Sequence, residues 1–152
     1  MDIHHANIFH TSPDRVYNAL TQPCDLTEWM GAPALARLEV GSPIEFNYNQ
    51  GQRVLMMCIT RLEPDRLVQW QVTKPMWPGD YPDQLITWTL SPYENSTLID
   101  FRMSGWPQDD DVYASVSYKW ASFMLRLKIF VGDTRDINTF LPLEKLNSVQ
   151  YT

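Results

Sequence analysis

The chain has 152 residues, and 12 Lys+Arg against 18 Asp+Glu give a formal net charge of −6, which suits one compact domain and argues against a binder of nucleic-acid phosphates, since that needs a net basic face. With 44% hydrophobic and 20% charged residues the chain is not an acidic disordered tail, and no apolar run approaches the ~20 residues of a membrane span. The opening MDIHHANIFH carries neither the basic nor the apolar region of a secretion signal, so a soluble, cytoplasmic domain is expected.

Residues 2–10 read as a strand. In TSPDRVYNAL, Ser12 stands as an N-cap, Pro13 as the first helical residue and Asp14 at the positive end of the helix dipole, while Val16, Tyr17 and Leu20 share one face. Pro23 opens a second short helix carrying Leu26, Trp29 and Met30, stopped by Gly31 and Pro33. The period then changes to two. Ile44, Phe46 and Tyr48 alternate with polar residues up to the turn at NQG, and a second strand runs from about Arg53 to Leu62 before the turn at EPDR. Val68, Trp70 and Val72 share a face of the next strand, which gives way to a long proline-broken loop, KPMWPGDYPD, read either as a gate over a cavity mouth through Trp77 and Tyr81 or as a proline-stiffened connection with no further role. Ile86, Trp88 and Leu90 alternate with Thr87 and Thr89; after SPYENS, Ile99, Phe101 and Met103 alternate with Asp100 and Arg102. These are consecutive antiparallel strands with one wet and one apolar face.

The strongest helical pattern covers about Val112 to Val131. Asp109, Asp110 and Asp111 stand at its start as capping carboxylates, and Gly132 stops it. Tyr113, Val116, Trp120, Phe123, Met124, Leu127 and Val131 recur at spacings of three and four. Tyr118, Leu125 and Ile129 form a second apolar shoulder, expected to pack under the tail or to make a homodimer contact. The pattern therefore reads as an α+β domain over residues 1–133, with a curved antiparallel sheet wrapped around a long C-terminal helix, two short helices after the first strand, and a C-terminal tail at 134–152. Curvature would hold the middle strands off the helix and leave a pocket between them, the alternative being a helix packed flat on the sheet with no cavity.

Four segments carry a resemblance. SPDRVYNALTQPCDLTEWM is similar to the opening of the START-like, polyketide-cyclase superfamily (SRPBCC), in the branch named for the heat-shock-protein-90 ATPase activator, with Met30 in place of the second tryptophan after Trp29. CITRLEPDRLVQWQV, with Glu63, Pro64 and Trp70, resembles its strand–turn–strand. LITWTLSPYENSTLIDFRMSG matches at Trp88, Leu90, Pro92, Thr97 and Gly105, and YKWASFMLRLKIFVGD at Trp120, Leu127 and Gly132. The resemblance spans about residues 3–133. It implies a helix-grip fold and a central cavity of the kind that takes lipids, hormones or polyketides, with catalysis in a minority of members. It transfers no catalytic residue and no cofactor. Chaperone stimulation is a weak carry-over, because the branch's namesake has a further domain for clasping the chaperone.

The chemistry in the sequence is sparse. There is no GxSxG, HExxH, glycine-rich phosphate loop or paired-cysteine motif. Cys24 and Cys58 are expected to be reduced, buried thiols. His4 and His10 share a strand face and His5 points the other way, all read as surface or edge histidines rather than metal ligands. Glu28 beside Trp29 is a candidate acid–base group, and Asp100 with Arg102 reads as a wet-face charge pair; neither amounts to a catalytic assignment. Tyr48 and Tyr113 offer hydroxyls that would orient a ligand, or else are core rings with their tips at solvent. The wall of the expected cavity is Trp29, Phe46, Trp70, Trp88, Phe101, Met103, Tyr113, Trp120, Phe123, Met124 and Leu127, suited to a small hydrophobic or aromatic molecule. On this reading the protein is a carrier or sensor, and Trp88→Ala weakens uptake while leaving the fold intact. A cyclase- or aromatase-type enzyme, with at least one buried titratable group near the pocket, and a protein-interaction module are the alternatives.

Overall fold

The computed structural model describes residues 1–76 and 81–132. In chain order they form β1 (Ile3–Phe9), α1 (Pro13–Thr21), α2 (Pro23–Met30), β2 (Ala34–Ala36), β3 (Pro43–Tyr48), β4 (Arg53–Glu63), β5 (Leu67–Lys74), β6 (Leu85–Tyr93), β7 (Ser96–Ser104) and α3 (Asp111–Val131). The strands make one seven-stranded antiparallel sheet in the order β1-β7-β6-β5-β4-β3-β2, so the first strand closes beside the last and the short β2 forms the far edge. This is the helix-grip architecture that the family resemblance implies. No described helix is long and apolar enough to cross a membrane.

Local signals account for the helix ends, although Ser12 takes the N-cap place of α1 without a side-chain capping bond. Proline at the first turn starts both short helices, and Gly31 ends α2 in the left-handed region at φ 74°. The Cβ of any other residue at Gly31 would lie 2.7 Å from the Arg126 guanidinium, so α3 closes tightly over the C-terminal end of α2. There the Arg126 charge meets the negative end of the α2 dipole and donates to the Met30 carbonyl at 3.5 Å. Of the three aspartates before α3, Asp110 is the N-cap: its side chain accepts from the Tyr113 N–H. Register shifts between Met56 and Met57 and between Ile59 and Arg61 bend β4 against β5, and such irregularities increase local twist, which helps the sheet to curl.

The inward faces of the strands and the near face of α3 make one core. Val68, Trp70, Ile86, Trp88, Ile99 and Phe101 are fully buried from the sheet side, and α3 contributes Val116, Trp120, Phe123, Met124, Leu127 and Val131. Two polar expectations are revised here. Cys24 is exposed and Cys58 half-buried, since Cys24 faces outward on α2. His5, on the inward parity of β1, lies half-buried on Phe101 at 5.9 Å between centroids, with Nε2 3.2 Å from the Ser117 carbonyl. The shoulder residues Tyr118 and Leu125 are exposed and Ile129 is half-buried; the tail expected to cover them lies outside the described residues.

Candidate functional site

The middle of the grip is occupied by rings. Trp88 meets Trp29, Trp70, Phe101 and Trp120 edge-on, with centroids 6.2, 5.9, 4.8 and 6.4 Å away, and Phe101 stacks on Trp120 at 5.3 Å. Trp29 is fixed by its indole N–H, which donates to the Ala19 carbonyl at 2.8 Å. Phe46 and Leu127 are fully buried. The structure thus brings Trp29, Trp70, Trp88, Phe101 and Trp120 into a packed aromatic cluster, because three strands and two helices direct their largest side chains to the same point.

Open space remains at one end, between α3 and the strand ends that lead to the β5–β6 connection. Of the expected wall, Met103, Trp120 and Phe123 line it; Val72, Trp106 and Val116 complete its apolar sides, and Met76 and Tyr81 stand where the connection begins and ends. The enclosed room is about 30 Å³, enough for one or two waters, whereas the whole depression out to its open mouth holds about 400 Å³ of unfilled space. Met124 lies elsewhere, in the groove between β1 and α3. Tyr113 flanks the pocket from behind: its ring meets Trp106 edge-on at 5.5 Å, and its hydroxyl donates to the Asp2 carbonyl at 2.9 Å. Trp77 lies outside the described residues.

Polar groups at this end come from both sides. The Tyr81 hydroxyl donates to Asp110 Oδ2 at 2.5 Å, and Gln108 Nε2 reaches the same oxygen at 2.8 Å. The Tyr81 bond, followed by those from the Tyr113 N–H and Gln108, pulls the Asp110 carboxyl down to about 2; the same contact raises the Tyr81 phenol. Lys119 and Gln84 also line the pocket. Gln84 is not among the residues expected from the sequence, because it falls between the loop KPMWPGDYPD and the alternation that starts at Ile86. Its signal was parity: it continues the inward series of Ile86, Trp88 and Leu90.

The other candidates are placed apart from this pocket. Glu28 is exposed. Tyr48 donates to the Met30 carbonyl at 3.1 Å, and burial pushes its phenol up to about 12. Asp100 and Arg102 do pair, at 3.2 Å, on the outer face, but the Asp100 side chain is only 4% exposed and also meets His4 Nε2 at 2.8 Å. This is a partly covered triad rather than the wet pair expected, because β1 pairs over that part of β7. Among the described residues no group of His, Cys, Asp and Glu is arranged to hold a metal ion.

Comparison with known proteins agrees with this architecture. The sequence profile of the family described as "Activator of Hsp90 ATPase homolog 1-like protein" matches residues 10–132. No curated protein matches the chain by sequence. Among solved structures, the Aha1 dimer from Colwellia psychrerythraea is 30% identical, with 86% of this chain and 96% of that chain covered at a TM-score of 0.76. CalU16 from Micromonospora echinospora superposes at 20% identity over 90% of this chain and 80% of its own, TM-score 0.70. An HSP90 activator from Plasmodium falciparum does so at 18% identity, over 86% and 96%, also with a TM-score of 0.70. The last two likenesses speak for the fold alone.

Proposed function

The chain belongs to the activator of Hsp90 ATPase homolog 1-like family, and we propose that within it this protein binds a small hydrophobic or aromatic molecule in the pocket between α3 and the strand ends, as a carrier or sensor. One observation carries the reading: the helix and the strands pack closely along most of their contact and part at one end, where the walls are apolar and the mouth is open. Met76 and Met103, unbranched and easily repacked, let such a site adjust to its guest. Titrating the purified protein with naphthalene, followed by tryptophan fluorescence, tests this, since Trp106 and Trp120 line the site. Saturable quenching that is lost in Val116→Trp, which fills the pocket, is the expected result. No saturable response in the wild type, or the same response in the filled variant, overturns the reading.

A second reading rests on the shoulder of α3. Tyr118 is 79% and Leu125 39% exposed, which supports reading this face as the contact for a second copy of the chain. The Colwellia relative is described as a dimer. A particle that sediments as a dimer in the wild type and as a monomer in Tyr118→Asp is the outcome this reading requires.

A further inference from the structure

Resting on the pocket reading above, a polar feature inside it points to the class of its guest. Gln84 is 1% exposed and sits at the inward end of the β6 parity, where its neighbours in the series are Ile86, Trp88 and Leu90. Its backbone is pinned: the Gln84 carbonyl accepts from Val72 N–H at 2.8 Å, and Val72's carbonyl accepts from Asp83 N–H at 2.9 Å. The backbone therefore fixes the Cα–Cβ direction of Gln84 towards the interior. Neither its Oε1 nor its Nε2 has a hydrogen-bond partner among the described residues. Trp106, on the same pocket wall, has an indole N–H in the same condition. Gly105 brings these two segments together; a Cβ there would stand 3.5 Å from the Gln84 Cα and from the Asp83 carbonyl.

A buried amide with both ends unmet is expensive, and a wall that needed only volume would carry Leu or Met at this position. Three unmet needs are gathered here: a donor for Gln84 Oε1, and acceptors for Gln84 Nε2 and Trp106 Nε1. A ketone or ester supplies acceptors alone and leaves Oε1 unsatisfied. A carboxylate turns a second negative oxygen towards Oε1 and is desolvated in apolar surroundings; Lys119, which also lines the pocket, already has an interaction of its own. We propose that Gln84, assisted by the Trp106 N–H, is the recognition point of the pocket, and that its guest is a flat, neutral molecule bearing a donor and an acceptor side by side, of the lactam or carboxamide class. The aromatic walls hold the flat body, and the amide edge pairs with Gln84.

The test compares three probes of similar shape, quinolin-2(1H)-one, its N-methyl derivative and naphthalene, on wild type, Gln84→Leu and Trp106→Phe. The wild type is expected to bind the quinolinone at least about tenfold more tightly than the N-methyl compound, which has lost the donor. Gln84→Leu removes that preference without weakening naphthalene binding, and it unfolds at higher urea than wild type because an unpaired amide has gone. Trp106→Phe weakens both quinolinones to a smaller and equal degree. Unchanged quinolinone affinity in Gln84→Leu, or an equal loss for naphthalene, overturns the recognition role of Gln84 and leaves the pocket standing. Failure of naphthalene as well as the quinolinones on the wild type overturns the pocket itself.

Discussion

Trp88 on β6 and Phe101 on β7 are direct cross-strand partners whose rings meet edge-to-face, centroids 4.8 Å apart with planes at 70°. Three other indoles pack on the same Trp88 ring, so it is the hub of the core rather than a free wall of a cavity. Trp88→Ala should therefore cost about 3–5 kcal/mol of stability, and its effect on ligand uptake will be inseparable from that loss. Trp88→Phe, which keeps most of the ring and removes an indole N–H that has no partner among the described residues, should cost much less. Urea unfolding of both variants decides the matter: a loss below about 1 kcal/mol for the alanine variant would show that the cluster closes around the gap.

How much of this could be read from the sequence follows from where the physics is local. Alternation placed Phe46, Trp70, Trp88, Phe101 and Met103 on the inner face, and three- and four-residue spacing placed Trp120, Phe123 and Leu127 opposite them; all are buried. Pattern alone does not say whether rings that face one another leave a gap. That depends on the depth of the curl and on bulges such as those in β4, which are tertiary facts. Gln84 falls between the proline-broken loop and the alternating run that starts at Ile86, so neither pattern picks it out. Asp100 alternated as a surface residue, and only the return of β1 beside β7 covers it. The three-residue β2 offered too short a pattern to be seen.

The Asp100 carboxylate ties two strands together, reaching His4 on β1 and Arg102 on its own strand. His4 and Arg102 are more than a third exposed, so their loss of partner is softened by water, and Asp100→Ala should cost about 1–3 kcal/mol, at the level of a charged hydrogen bond. Because the contact spans the sheet edge, amide exchange in β1 should accelerate more than in β5 or β6. Uniform acceleration over all strands would instead assign Asp100 to the stability of the whole sheet.

His5 supplies a pH dependence whose sign can be worked out. Burial lowers its pKa below 6.5, opposed by the contact with the Ser117 carbonyl and helped by nearby His4. The fold thus favours the neutral ring. Above the unfolded value of about 6.5 the ring is neutral in both states and the fold bears no penalty. As pH falls below it the unfolded chain binds the proton first, and stability declines until the folded value is passed. The urea midpoint should drop between pH 7.5 and 5, with a shallower slope in His5→Gln. Equal slopes in the two proteins would mean that another group is responsible.

The contact between Tyr81 and Asp110 joins the rim of the pocket to the first turn of α3, since Asp110 Oδ1 accepts from Tyr113 N–H while Oδ2 accepts from the Tyr81 hydroxyl. With the folded carboxyl near 2 and the ordinary value 3.8, its contribution is complete above about pH 4 and is lost as pH falls through 2. Asp110→Asn still offers an acceptor to Tyr113 but has no charge to lose, so the difference in thermal midpoint between wild type and Asp110→Asn should shrink from pH 5 to pH 2. Tyr81→Phe removes the strongest of the bonds that hold the carboxyl down, and should move that decline to higher pH while leaving the cap in place. If Tyr81→Phe declines over the same range as wild type, the acid sensitivity comes from the helix cap alone. The rim of the pocket would then be tied to α3 by packing of Tyr81 on Trp106, centroids 5.9 Å apart, and of Trp106 on Tyr113 of α3 at 5.5 Å, and not by the carboxylate.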